Sequence, residues 1–404
     1  MEFYTFTLPN GIRCIHKRVH SPVAYTAVTV GAGTRDESPD EYGMAHLVEH
    51  TLFKGTRRRR AYHINCRLEN LGGELNAYTS KEDTVIHATT LQADFPKAAE
   101  LISDILFSSV FPEREVEKEK EVILDEINYF KDTPSERVYD DFEDMVFAGS
   151  ELGHNILGSK TSLSRLHSDR IRSFVKRAYN TDGMVFSCIG NVSERRFRAA
   201  AERYFGNVPA NIRGFARHVP PPVAPFERRT GRANHQTHCI TGGRAYPLDS
   251  PKRLPLMLLV NLLGGPSANS LLNLSLREKN ALSYNVEASY TPYADSGIAS
   301  VCLSCEHDKT DRCLELIDRE LSKLMREPLT PSRLAIAKKQ FTGQFAISSD
   351  GSEGYMLGAA KSLLSFGTVD TREVIYGRIA GLTPSDIAEV AAEVFSVRST
   401  LIYK

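Results

Sequence analysis

The sequence carries no excess of charge of either sign, with 50 lysines and arginines against 50 aspartates and glutamates. That balance removes the basic field on which nucleic-acid binding depends, so no nucleic-acid partner is expected. Long apolar runs are missing too. Nothing approaches the roughly 18 consecutive apolar residues of a membrane span, and Met1-Glu2-Phe3-Tyr4-Thr5 lacks a basic segment followed by an apolar one. A cytoplasmic chain with no membrane partner is the expectation. Cysteine is sparse and irregularly placed. Of 7 cysteines only Cys302 and Cys305 make a C-x-x-C, in a strand-like run from Ile298 to Leu303 with no second pair. Reduced structural thiols fit this better than a metal or redox site.

What is present describes a globular protein: 41% apolar and 25% charged residues over 404 positions, enough for two domains of ordinary size. Between Pro209 and Gly231 the chain holds Pro220-Pro221-Pro222 and Pro225 and no amphipathic period, as a linker would. This predicts domains at 1–208 and 232–404, joined by a linker at 209–231. Val23–Val30 and Asp83–Thr89 have the β-branched content of strands, whereas Phe95–Phe107 and Glu113–Phe130 carry helical periods. Strands and helices mix without strict βαβ alternation, which predicts the α+β class.

The second half repeats the first. Laying Val28 on Ile240 brings Gly31 onto Gly243 and Ser38-Pro39 onto Ser250-Pro251, a constant offset of 212 residues. Further on, Pro112 and Arg114 fall on Pro331 and Arg333, each at the start of a long helical pattern. A duplicated α+β unit accounts for both halves.

The most informative stretch is His46-Leu47-Val48-Glu49-His50. At about 100° per residue the two histidines lie about 40° apart on one helical face, so both imidazoles can reach one ion. Glu49 falls about 80° to one side of them. This is the mirror of the H-E-x-x-H order, with the same trio of groups. Zn²⁺ lowers the pKa of a bound water to about 7, and an adjacent carboxylate can take its proton. A catalytic zinc usually has a third protein ligand. In Glu113–Phe130 the apolar stripe is Val116, Ile123, Ile127 and Phe130, and Glu117, Glu121 and Asp125 point away from it. Glu119 and Glu126 lie at the stripe's edge, about 60° and 80° from Val116, where a carboxylate is costly unless it meets a cation. Periodicity leaves open which of the two binds. In the duplicate, His46, Glu49 and His50 correspond to Leu258, Asn261 and Leu262, and Glu119 and Glu126 to Lys338 and Phe345. Every candidate metal residue is replaced together, which predicts one metal site per chain.

These residues, with Gly43-Met44-Ala45 before them and Thr51-Leu52-Phe53-Lys54-Gly55-Thr56 after, carry a family resemblance, as do Gly72-Gly73-Glu74-Leu75-Asn76-Ala77 and Glu121-Val122-Ile123-Leu124-Asp125-Glu126. The chain resembles the inverted-zincin peptidases that include insulinase, pitrilysin and the mitochondrial processing peptidase, particularly their short bacterial members. Gly153-His154, Ile156-Leu157-Gly158 and Cys188-Ile189-Gly190-Asn191-Val192 are similar as well. The resemblance implies two homologous domains, each an antiparallel-rich sheet packed with helices. It implies one Zn²⁺ per chain, held by His46, His50 and the glutamate 76 residues after His50, which is Glu126. Glu49 would then be the base and Glu119 the family's accessory glutamate. Asn76 and Ala77 resemble an edge segment that pairs with an extended substrate. Arg277 and Tyr284, in Arg277-Glu278-Lys279-Asn280-Ala281-Leu282-Ser283-Tyr284, resemble groups that reach a substrate carbonyl, although Ala281 stands where the family has glycine.

By the same resemblance the activity is zinc-dependent endopeptidase action on peptides or unfolded segments in an enclosed chamber. Two chains would close as a homodimeric clamshell, with the zinc of one facing Arg277 and Tyr284 of the other. The alternative is a non-catalytic structural subunit, a role in which relatives tend to lose the metal residues that this chain keeps. Arg57-Arg58-Arg59-Arg60 reads as a solvated turn or a patch for acidic peptides, and His235 and His238 as surface residues.

Overall fold

The computed structural model describes residues 2–231 and 235–404. Its β-branched and aromatic segments build two sheets. Strands β1 (Tyr4–Thr7), β2 (Arg13–Arg18), β3 (Val23–Val30), β4 (Glu74–Thr79), β5 (Thr84–Leu91) and β6 (Met184–Gly190) form the first, in the order β1-β2-β6-β3-β5-β4. Strands β7 (Glu227–Thr230), β8 (Thr237–Arg244), β9 (Ser283–Pro292), β10 (Gly297–Cys305) and β11 (Ser399–Tyr403) form the second, in the order β7-β11-β8-β10-β9.

The duplication read from sequence is visible in these orders. Replacing β2, β6, β3, β5 and β4 by β7, β11, β8, β10 and β9 converts one sheet into the other. The one parallel pair of each sheet also matches, β2 with β6 and β7 with β11. All other pairings are antiparallel, so both units are antiparallel-rich α+β structures. The expected strands at Val23–Val30 and Asp83–Thr89 are β3 and β5. The Cys302–Cys305 pair sits at the end of β10, and both thiols are free.

Each sheet is covered on two faces, and alternation of side chains shows it. In β6, Val185 packs with Ala359 and Leu363 of the helix Ser352–Phe366. Its neighbour Phe186 faces Phe95 at 6.4 Å, at the start of the helix Phe95–Ser108. In the second sheet Ile240 and Leu401 pack with Phe142 of the helix Pro134–Val146. Their neighbours Cys239 and Ile402 join Leu259, Leu321 and Val394 in the opposite layer.

One covering helix of each sheet, Ser352–Phe366 on the first and Pro134–Val146 on the second, comes from the other half of the sequence. The first compact unit runs to Asn128 and adds His154–His218 and Ile347–Val369. The second comprises Tyr129–Gly153, Val219–Ala346 and Asp370–Lys404. The units therefore exchange equivalent helices and differ from the contiguous segments 1–208 and 232–404 expected from composition. The linker expectation is corrected as well. Arg213 and Arg217 bind the buried Asp36 carboxylate at 3.1 and 2.8 Å, and β7 lies within 209–231. Proline keeps this stretch irregular, and ion pairs fix its first part to the first unit. The expected start of the second domain, residue 232, lies outside the described residues.

Candidate metal centre

Helix α1 (Met44–Leu52) presents the three residues of the motif. Met44, Ala45, Leu47, Val48, Thr51 and Leu52 are buried, which leaves His46, Glu49 and His50 on the remaining arc. The helix starts at Gly43 in a left-handed conformation, φ 93°. A side chain there would come within 2.8 Å of the Leu157 carbonyl oxygen, so glycine is required for the turn and for the close approach.

Gly43 has no side chain with which to cap the helix. Glu37 takes that role: its carboxylate accepts from the amides of Gly43 at 3.0 Å and Ala45 at 2.7 Å. His154 Nε2 lies 2.9 Å from the same carboxylate, and its ring stacks on Tyr42 at 3.9 Å. Burial pushes the Glu37 pKa well above the usual carboxylate range, against the lowering effect of those amides. Sequence reasoning noticed His154 only as a likeness and missed Glu37, because a cap supplied from outside the helix leaves no periodic signal.

Helix α2 (Ala61–Glu69) begins directly after the four arginines. Arg59 binds Glu100 and Asp104 at 2.7 and 2.6 Å, while Arg57, Arg58 and Arg60 are exposed. Helix α3 is the Phe95–Ser108 segment, and helix α4 (Glu113–Lys131) faces the motif. Val116, Ile123 and Ile127 are buried as expected, and Phe130 is only half-buried. Glu117, Glu121 and Asp125 are exposed; Glu119 is buried and Glu126 half-buried.

His46 Nε2 lies 3.8 Å from Glu126 Oε2, and His50 Nε2 lies 3.7 Å from Glu126 Oε1. One ligand atom from each of the three residues falls within 4.8 Å of the other two, and among the described residues this is the one such cluster. Bonds of about 2.1 Å in a tetrahedron put ligand atoms about 3.4 Å apart, so a zinc ion fits after small closing movements. Burial, followed by the proximity of His50, lowers the His46 pKa to about 4, which keeps its imidazole in the neutral, ligating form.

Glu119 meets His50 at its other ring nitrogen. One of its oxygens is 3.1 Å from His50 Nδ1 and the other 2.7 Å from Lys54 Nζ. It thus faces the ring nitrogen turned away from Glu126, where an acceptor fixes the tautomer that points the Nε2 lone pair into the cluster. Glu49 lies beside Thr79, His50 and Glu126; burial, the largest cause, and the Glu126 charge raise its pKa.

An open pocket of about 330 Å³ adjoins the cluster, with Glu49, His50, Phe53, Asn76 and Ala77 in its lining. Asn76 and Ala77 belong to β4, the sheet's edge strand, where they pair with His87 and Ile86 of β5 on one side only.

Arg277 and Tyr284 belong to the second unit. Arg277 lies in a π-helical turn, Asn273–Glu278, and bonds Glu278 at 2.9 Å; Tyr284, at the start of β9, is 80% exposed. Between them Ala281 adopts φ 50°, the left-handed conformation that suits the family's glycine. His238 meets Ser304 at 2.9 Å, and neither it nor His235 enters the metal cluster.

The sequence profile of the insulinase family, peptidase family M16, matches residues 14–160, and the profile described as the M16 inactive domain matches 165–341. A relative from Streptomyces coelicolor, named an uncharacterized zinc protease, is 31% identical over 98% of this chain and 88% of its own. One from Bacillus subtilis with the same description is 29% identical over 97% of this chain and 95% of its own. The crystal structure of a protease from Helicobacter pylori superposes with a TM-score of 0.92, at 21% identity, over 100% of this chain and 99% of that one. With profiles of both M16 domains matched in order and full-length relatives named zinc proteases, the chain belongs to peptidase family M16, the insulinase family.

Proposed function

We propose that the protein is a zinc-dependent endopeptidase acting on peptides or unfolded segments, with one metal ion per chain held by His46, His50 and Glu126. The observation that carries this reading is the convergence of two imidazole Nε2 atoms on one carboxylate, at 3.7 and 3.8 Å, with Glu119 behind His50. When bound, zinc polarises a carbonyl and makes water nucleophilic near neutral pH. Glu49 would take the proton of the attacking water and pass it to the departing amine. Glu119 holds the His50 ring in place. Asn76 and Ala77 offer the free edge of β4 to an extended substrate, as strand addition requires. Arg277 and Tyr284 of a second copy donate to the substrate carbonyl oxygen in a homodimer that encloses the peptide. The compartment is cytoplasmic; among the described residues no helix is long and apolar enough to cross a membrane.

The test is metal analysis of the purified protein together with cleavage of a peptide library read by mass spectrometry. One zinc per chain, activity lost on chelation and restored by zinc, is the expected result. Cleavage that survives complete metal removal contradicts the proposal.

A further inference from the structure

His46 and His50 differ in what stands behind them. Each turns its Nε2 toward Glu126, at 3.8 and 3.7 Å, and so turns its Nδ1 away. His46 Nδ1 is buried and meets no hydrogen-bond partner among the described residues. His50 Nδ1 faces one Glu119 oxygen at 3.1 Å, and the other oxygen of that carboxylate meets Lys54 Nζ at 2.7 Å. Support from behind the imidazoles is therefore concentrated in one run of contacts, from Lys54 through Glu119 to His50.

A glutamate carboxylate turns easily about its last bond, because a terminal torsion at a planar group has only a broad preference. One contact leaves it free to swing, and contacts on both oxygens stop it. Lys54 supplies the second contact. It lies two residues beyond the end of α1 and reaches α4, so the pair also ties the helix of the histidines to the helix of Glu126. At 27% exposure for Lys54 and 11% for Glu119 the pair is partly withdrawn from water, where such a contact is screened less than at an open surface. In the second unit Pro266 stands at the offset of 212 from Lys54, and Lys338, the counterpart of Glu119, bonds the Ala380 carbonyl at 2.7 Å instead. The pair is replaced where the metal residues are replaced.

We propose that Lys54 is a positioning residue of the metal site: by holding the Glu119 carboxylate against His50 Nδ1, it fixes the tautomer whose Nε2 lone pair points into the cluster. This rests on the ligands assigned above, and it gives Lys54 no contact with metal or substrate. A cation so placed also repels a bound zinc ion, but that repulsion is indifferent to the orientation of Glu119. A double-mutant cycle separates the two effects.

The test is the zinc affinity of the full chain, by competition with a fluorescent chelator, for wild type, Lys54→Met, Glu119→Gln and the double variant. Lys54→Met should weaken binding by about tenfold, the lower end of the range for partners behind a ligand. In the Glu119→Gln chain the same change should not weaken it at all. Lys54→Gln should behave as Lys54→Met, and Lys54→Arg, which keeps a charged donor, should stay within about threefold of wild type. Zinc-free chains isotopically labelled at histidine nitrogen report the tautomer by long-range nitrogen–proton NMR in mildly alkaline buffer, with His46 as the internal comparison. His50 should carry its proton on Nδ1 in wild type and Lys54→Arg, and as a mixture of tautomers in Lys54→Met. Equal losses of affinity in both Glu119 backgrounds, or an Nδ1–H His50 undisturbed in Lys54→Met, would overturn the role of Lys54 and leave the metal reading intact. A wild-type chain that binds no zinc would overturn the metal reading, and the His50 tautomer in the zinc-free chains would then decide the role of Lys54 by itself.

Discussion

Two equivalent helices, α1 in the first unit and Arg253–Gly264 in the second, occupy the same place in duplicated folds and do different things. In the first, His46, Glu49 and His50 gather against Glu126, and Glu119 stands behind His50. In the second, Leu258 is buried, Leu262 packs on the core, and Asn261 donates to Gln344 at 2.7 Å. A neutral amide pair and two leucines satisfy the same position without an ion. The equivalent position thus folds without such groups, and their presence together in one unit, partly withdrawn from water, points to chemistry.

The severest way to break the comparison is to write the second helix into the first. His46→Leu, Glu49→Asn and His50→Leu combined should abolish zinc binding and peptide cleavage, measured by metal analysis and kinetics. The circular dichroism spectrum should stay that of the folded chain, since leucine already serves at both equivalent sites. Loss of the fold would show that the histidines are structural.

The two acids of α4 sharpen the comparison. Glu126→Gln should lower zinc affinity sharply, and Glu119→Gln by roughly 10–100-fold as a change behind a ligand. Competition with a fluorescent chelator measures both; equal or inverted losses would reassign the ligand.

The proposed contribution of the second unit through a partner copy predicts a smaller, arithmetical effect. If His50→Ala and Arg277→Ala chains, each inactive, exchange freely, about half of the dimers are mixed and one pocket in each escapes both lesions. About a quarter of wild-type activity should return on mixing. A dead mixture, with exchange verified by light scattering of tagged chains, rules out the shared site.

The smallest effect concerns Ala281. Left-handed backbone costs a non-glycine residue about 1–2 kcal/mol, and glycine's greater freedom in the unfolded chain offsets about half of that. Ala281→Gly should raise stability by under about 1 kcal/mol in urea denaturation. A loss of stability would mean that the alanine methyl is in favourable contact.

Local features were legible in the sequence because they are periodic. The motif's spacing fixes the common face of His46 and His50, and the stripe of α4 sets Glu119 and Glu126 apart from the exposed acids. The choice between those two glutamates needs tertiary distance or family spacing, since both lie at the stripe's edge. Helix exchange was not legible: the apolar face of Pro134–Val146 predicts burial and says nothing of which sheet it covers. Glu37 was missed because it caps α1 from outside the helix, which leaves no periodic signal.

The central claim is that the first unit's cluster binds one zinc ion and that Glu49 moves protons without binding it. Zinc content and peptide turnover measured side by side for wild type and Glu49→Gln test this most directly. Zinc near one equivalent in both, with turnover lower by roughly 10²-fold or more in the variant, is the predicted result. Zinc lost along with activity would make Glu49 a ligand and contradict the assignment.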